Sequence, residues 1–227
     1  MTHHPTASFL GGGLVAFLGI ALLVITGASD SFDRSVIEAV RAADRTETLS
    51  FLGPITELGS TGAVTLVAVL TLLVGVAAGP WRHGAIGAAV IGLAALGVEL
   101  LKSAVARERP DFLEPIFAEH GFSFPSGHAS LSMVGYGILA VLVGRSFLPH
   151  WAQLGVYGVV TILVFLIGLS RIWLGVHYPS DVIAGWVAGA TVVLVFASLT
   201  RGVSREPAAE AVVEDPAAPR SDRSAAG

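Results

Sequence analysis

Three short stretches of this chain hold residue types that together can bind an anion and attack it. Lys102 is followed after six residues by Arg109-Pro110, Pro125-Ser126-Gly127-His128 comes next, and Ser170-Arg171 leads to His177 and Asp181. A phosphoryl group carries about -1.5 to -2 charges at neutral pH, so three converging cations are balanced by a ligand rather than by acids. Arginine offers planar forks for paired oxygens, and lysine a point charge. His177 and Asp181 are four residues apart, a spacing at which a carboxylate can hold one imidazole N–H and leave the other nitrogen as an unprotonated nucleophile. Pro125 to His128 stands directly before an apolar run, so Ser126 or Gly127 is expected to begin a helix whose free amide N–H groups form an anion site.

Each piece also has an ordinary reading. Lys102 and Arg171 end apolar runs and can simply snorkel to an interface. Ser126 can be a plain helix cap. Asp181 can cap the run that follows, with Pro179 favouring a helix start there. A metal pair at His177 and Asp181 has too few ligands, unless His128 supplies a third.

The elements that must position these residues are apolar. The chain has 227 residues, 53% of them hydrophobic and 13% charged, with a mean hydropathy of +0.75. That leaves too little polar surface for a soluble domain, and an all-α integral membrane protein is expected. A span needs about 20 mostly apolar residues, and six runs qualify: Phe9 to Gly27, Gly62 to Gly79, Gly84 to Leu101, Ala129 to Phe147, Ala152 to Leu169 and Val182 to Leu199. The first resembles a secretory signal in part, but no Lys or Arg precedes it, and it is read as an uncleaved span. A lone cation at the bilayer centre costs roughly 2.5 to 3.5 kcal/mol, which favours a function for Lys102, Arg109 and Arg171.

Between the first two spans, Asp30 to Ser60 is too polar to cross. Phe32, Val36, Ile37 and Val40 line one helical face opposite Asp33, Arg34, Glu38 and Arg41, as in a helix lying in the interface or packed on the span ends. Trp81-Arg82-His83 reads as a tight turn after Pro80. Gly185 and Gly189 offer a small-residue face, for packing in the bundle before a contact between copies. Charges between spans are too evenly placed to orient the chain. From Arg201 onward the composition is that of a disordered tail, so residues 1–200 form the membrane domain and 201–227 the tail. The net charge of -4 leaves no basic face for nucleic acid. The absence of cysteine excludes disulfides and thiolate chemistry.

Lys102 with Arg109-Pro110, Pro125 to His128, and Ser170-Arg171 with His177 and Asp181 together match a three-part signature in order and spacing. In this the chain resembles the type-2 phosphatidic acid phosphatase superfamily, the membrane lipid phosphate phosphatases that share a site with vanadium-dependent haloperoxidases. The resemblance implies that His177 is the nucleophile, that Asp181 orients it, and that His128 protonates the leaving oxygen and then activates water. It implies phosphate binding by Lys102, Arg109, Ser126, Gly127 and Arg171, with no metal and no cofactor. The implied partners are the bilayer and a lipid phosphate or diphosphate, at a site facing outward from a bacterial inner membrane. A vanadate-dependent haloperoxidase and a non-catalytic lipid-phosphate transporter are the alternatives. Glu99 is placed to pair with Lys102, while Glu108, Glu114 and Glu119 read first as a solvated loop face, and second as a gate or head-group contact.

Overall fold

A computed structural model of the chain describes residues 5–43, 45–78, 81–110 and 119–200. The expected tail, Glu114 and the turn residue Pro80 lie outside the described residues. Among those residues there are eight helices: α1 (Pro5–Ile25), α2 (Asp30–Ala42), α3 (Arg45–Glu57), α4 (Thr61–Ala78), α5 (Trp81–Val105), α6 (Gly127–Phe147), α7 (His150–Trp173) and α8 (Pro179–Leu199). Six of them, α1 and α4 to α8, are long and apolar enough to cross a membrane, as the six apolar runs require. The boundaries differ where polar residues continue a helix. Trp81-Arg82-His83 is the first turn of α5 rather than a connecting turn, since a helix N-terminus leaves its first amides free to face water without a loop. Helix α5 also runs past Lys102, and α7 past Arg171, so both cations are carried on the last turn of a rigid rod.

Helix α6 is the axle of the bundle. In it 61% of the spanning residues are buried, against 11–33% in the other five, and it packs on α4, α5, α7 and α8. Val64, Ile91, Val134, Ile138, Val141, Leu142 and Phe196 form the main core around it. The peripheral helices turn Leu14, Val15, Leu73, Leu93, Leu154 and Ile162 outward, an apolar girdle suited to lipid rather than water. Helix α8 approaches α6 closely because Gly185 and Gly189 permit it. A β-carbon at Gly189 would sit 2.7 Å from Met133 Cβ, and one at Gly185 would sit 2.9 Å from Ser130 Oγ. The small-residue face is therefore spent inside the bundle.

The polar stretch after α1 folds as two helices, α2 and α3, of which α3 packs on α7 and α2 on both α7 and α8. Of the two expected placements, α2 takes the one against the span ends. Ile37 and Val40 bury against Ala129, Ile172 and Val182, the immediate chain neighbours of His128, Arg171 and Asp181. One face of α2 thus clamps the three segments that bear the candidate chemistry. The expected facing of α2 is wrong in two places. Phe32 is 48% exposed while Asp33 is fully buried, because a charged partner, Arg107, awaits Asp33 inside and makes its burial tolerable.

Candidate active site

By strict alternation of the spans, the C-terminal ends of α5 and α7 meet the N-terminal ends of α6 and α8, and the candidate residues collect at this end. Two backbone bonds tie the connections together: Ser126 N–H donates to the Asp181 carbonyl at 3.1 Å, and Ser123 N–H to the Arg107 carbonyl at 2.8 Å. Ser126 is the N-cap of α6, its Oγ accepting from Ala129 N–H at 3.5 Å. Asp181, in the first turn of α8, accepts the Tyr178 N–H at 2.9 Å. The capping readings of both residues therefore hold, and neither role competes with a place in the site.

His177 lies in the α7–α8 connection, 1% exposed. Its Nδ1 is 3.4 Å from Asp181 Oδ2, and its Nε2 is 3.2 Å from Arg109 Nη1. A guanidinium can only donate, so Nε2 is the bare nitrogen and the ring proton sits on Nδ1, facing the carboxylate. Burial is the strongest influence on this imidazole and pushes its pKa down to about 4, against the upward pull of Asp181. The ring is consequently neutral near pH 7, with a free lone pair on Nε2.

Arg109 is fixed by Val176 O at 2.8 Å, Gly121 O at 3.1 Å and His120 O at 3.4 Å. Burial lowers its pKa, with Asp181 and Glu99 opposing, yet a guanidinium remains cationic at any working pH. Arg171 is 3% exposed. Its Nη1 donates to Thr56 Oγ1 on α3 at 2.9 Å, its Nη2 donates to Glu119, and its buried Nε–H has no acceptor among the described residues. The Glu119 carboxylate reaches Arg109 Nη2 as well, at 3.2 Å. Glu119 is therefore no part of a solvated loop face: it bridges the two arginines as a phosphate would, because two buried guanidinium groups draw the nearest carboxylate.

Lys102 pairs with Glu99 at 3.1 Å, as its place one turn on suggests, and lies beside Gly127, where a β-carbon would be 3.7 Å from Lys102 Nζ. His128 follows on the first turn of α6. Its ring packs against Gly59 in the α3–α4 turn, where a β-carbon would come within 2.8 Å of Cδ2. The eight residues singled out in the sequence stand at this one end of the bundle, joined by contacts and chain bonds, with the His128 ring itself against Gly59. Lys102 meets Gly127, Ser126 meets Asp181, Asp181 meets His177, His177 meets Arg109, and Glu119 joins Arg109 to Arg171, with His128 adjoining Gly127.

Sequence reasoning missed four contributors. Arg107 stands outside the residues named from the sequence, yet it pairs with Asp181 at 2.6 Å and with Asp33 at 2.7 Å. Its pKa is raised although burial, the largest single influence, opposes this, because the two carboxylates together outweigh it. Asp33 and Thr56 come from segments remote in sequence, marked only by charge or hydroxyl, while Glu119 lies in the same α5–α6 connection as Arg109 and was read first as solvated. The available signal for Arg107 was its place inside the Lys102 to Arg109 stretch.

Comparison with known proteins agrees with this arrangement. Residues 84–204 match the PAP2 superfamily. The chain is 30% identical over 194 residues to phosphatidylglycerophosphatase B of Bacillus subtilis, covering 82% of this chain and 90% of the relative. It is 39% identical over 112 residues to the decaprenylphosphoryl-5-phosphoribose phosphatase of Mycobacterium tuberculosis, covering 47% of this chain and 55% of the relative. Among solved structures it superimposes on a transmembrane PAP2 type phosphatidylglycerolphosphate phosphatase from Bacillus subtilis with a TM-score of 0.78 at 26% identity, over 87% of this chain and 98% of the other. With an all-helical bundle of six candidate spans and the three-part signature gathered at one end of it, the chain belongs to the PAP2 superfamily.

Proposed function

We propose that this protein hydrolyses the terminal phosphate of a lipid phosphate or diphosphate through a covalent phosphohistidine. His177 Nε2 attacks phosphorus in line while the bond from phosphorus to the leaving oxygen breaks, and His128 gives that oxygen a proton. His128 then takes a proton from water, whose oxygen attacks the phosphohistidine, releasing phosphate and restoring the imidazole. Asp181 holds the Nδ1 proton and stabilises the positive charge that the ring acquires. Lys102, Arg109, Arg171, the Ser126 hydroxyl and the Gly127 N–H hold the phosphoryl oxygens, so charge is neutralised by fixed side chains as phosphoryl transfer demands. These groups suffice without a metal.

The observation that carries this reading is the geometry of His177: buried, with Nδ1 facing Asp181 and Nε2 facing Arg109. The buried Arg171 Nε–H, which has no acceptor among the described residues, supports a ligand with oxygens to offer. Two relatives bear the names of phosphatases, phosphatidylglycerophosphatase B and decaprenylphosphoryl-5-phosphoribose phosphatase, which supports lipid phosphates as substrates. We infer further that the N-terminus lies inside a bacterial inner membrane; alternation of the six candidate spans would then turn the clustered end to the extracytoplasmic face.

The test is phosphate release by the purified protein from phosphatidylglycerophosphate, phosphatidic acid and undecaprenyl diphosphate in mixed micelles, alongside His177→Ala. The expected outcome is release from at least one lipid and none by the variant. Release from none, or equal release by both proteins, would refute the proposal.

A further inference from the structure

We propose that Asp33 and Arg107 form a buried positioning relay that sets the orientation of Asp181, and through it the aim and tautomer of His177. The inference rests on the reading of His177 as nucleophile and extends it to a helix, α2, outside the three-part signature.

The contacts are short, mutual and drawn from three elements. Arg107, in the α5–α6 connection, donates from Nη1 to Asp181 Oδ1 at 2.6 Å and to Ser180 Oγ at 2.7 Å, and from Nη2 to Asp33 Oδ2 at 2.7 Å. Asp33 on α2 accepts the Ser180 N–H at 2.9 Å and the Ser180 hydroxyl at 2.6 Å. The guanidinium lies 4.0 Å from the centre of the Tyr178 ring, a cation–π contact that fixes its plane. Asp33 and Asp181 are both fully buried. Asp30, at 3.8 Å from Arg107, adds a third carboxylate at the rim.

This arrangement controls Asp181 for a geometric reason. Its Oδ2 faces both the Tyr178 N–H and His177, and the His177 contact is 3.4 Å, long for a charge-assisted bond, which ordinarily measures about 2.7–2.9 Å. A contact at that limit is lost on a small rotation of the carboxylate. The rotation is opposed from the other oxygen, Oδ1, which Arg107 grips at 2.6 Å. Arg107 in turn is held from behind by Asp33. Lysine has no second fork with which to reach both acids, and asparagine at position 33 leaves one Arg107 N–H without an anion.

A purely structural ion pair and a positioning relay differ in what they change. Misplacement of a reacting group by about 1 Å can cost about a hundredfold in rate without weakening ligand contacts. The test is steady-state kinetics of Asp33→Asn and Arg107→Lys, alone and each combined with Asp181→Asn, in a protein whose His177→Ala variant has been shown to lose turnover. That control separates failure of the relay from failure of the proposed chemistry. The expected result is a fall in kcat of about tenfold to a hundredfold with KM within about twofold, and little further loss when either change is added to Asp181→Asn, since a relay acting through Asp181 has nothing left to position. Ser180→Ala removes the hydroxyl that accepts from Arg107 and donates to Asp33 and is expected to lower kcat about tenfold, since both of its hydrogen bonds are to charged groups; it takes the place of any variant that does not fold. Wild-type kcat in these variants, a rise in KM alone, or losses that multiply fully with that of Asp181→Asn would overturn the proposal.

Discussion

Arg107 and Arg109 are separated by a single residue, yet their surroundings are opposite. Arg107 is enclosed by acids of the protein, with Asp33 and Asp181 completely buried beside it, so its charge is permanently answered. Arg109 is held mostly by backbone carbonyls, and its ionic partner is Glu119, a half-buried carboxylate that it shares with Arg171. The difference teaches that cations of one cluster divide their labour by partner. A guanidinium neutralised by buried acids can build a site, and one held by carbonyl dipoles keeps most of its charge for a ligand.

The sharpest way to break this contrast is to remove each arginine while keeping its bulk. Arg107→Met leaves two buried carboxylates unpaired and is expected to destabilise the fold by about 3–5 kcal/mol, read from thermal unfolding in detergent. Arg109→Met is expected to unfold close to wild type but to lose about a hundredfold to a thousandfold in kcat, the usual cost of deleting one oxyanion donor. Equal destabilisation by the two would erase the distinction.

A second test uses acidity. The pKa of His177 is lowered to about 4, chiefly by burial, against about 6.5 for a free imidazole. The neutral ring therefore contributes stability that is fully present above pH 6.5 and is lost as pH falls through 4. Between those values the unfolded chain binds a proton that the native chain does not, and up to about 3 kcal/mol is at stake. Unfolding measured from pH 7 to 4 is expected to show this decline, and His177→Ala to make it shallower. A decline of the same depth in that variant would assign it elsewhere.

Glu119 gives a smaller effect of opposite sign. If its carboxylate stands on the arginines that a phosphate needs, Glu119→Gln is expected to bind inorganic phosphate or vanadate several-fold more tightly, about 1 kcal/mol, in a competition assay. Weaker binding would make Glu119 a helper of the ligand instead. The least effect belongs to Glu99, whose side chain is 70% exposed beside Lys102. Glu99→Gln is expected to shift stability by less than about 1 kcal/mol in the same unfolding assay.

These contrasts show where sequence reading reaches and where it stops. The spans were legible because hydropathy acts along about 20 consecutive residues, and the eight candidate residues could be named because they fall in three short stretches of fixed spacing. Asp33 was not legible. A 3.6-residue pattern on α2 separates a polar from an apolar face, but it cannot say that the polar face meets Arg107 rather than water. Glu119 was read as solvated for the same reason, since its partners Arg109 and Arg171 come from segments on either side of α6. The roof that α2 forms over Ala129, Ile172 and Val182 joins residues separated by about ninety or more positions, a relation that no local period encodes. Arg107 could have been suspected, because it sits two residues from Arg109 within a stretch already marked.

The central claim is a bond between His177 Nε2 and phosphorus, and rapid quenching tests it most directly. A lipid substrate labelled in its terminal phosphate is mixed with the protein, stopped with alkali within one turnover, and the label is mapped. The expected result is radioactive phosphate on the peptide bearing His177, stable to alkali, labile to acid and absent from His177→Ala. Turnover by His177→Ala at the wild-type rate, or label found reproducibly on another residue, would contradict it.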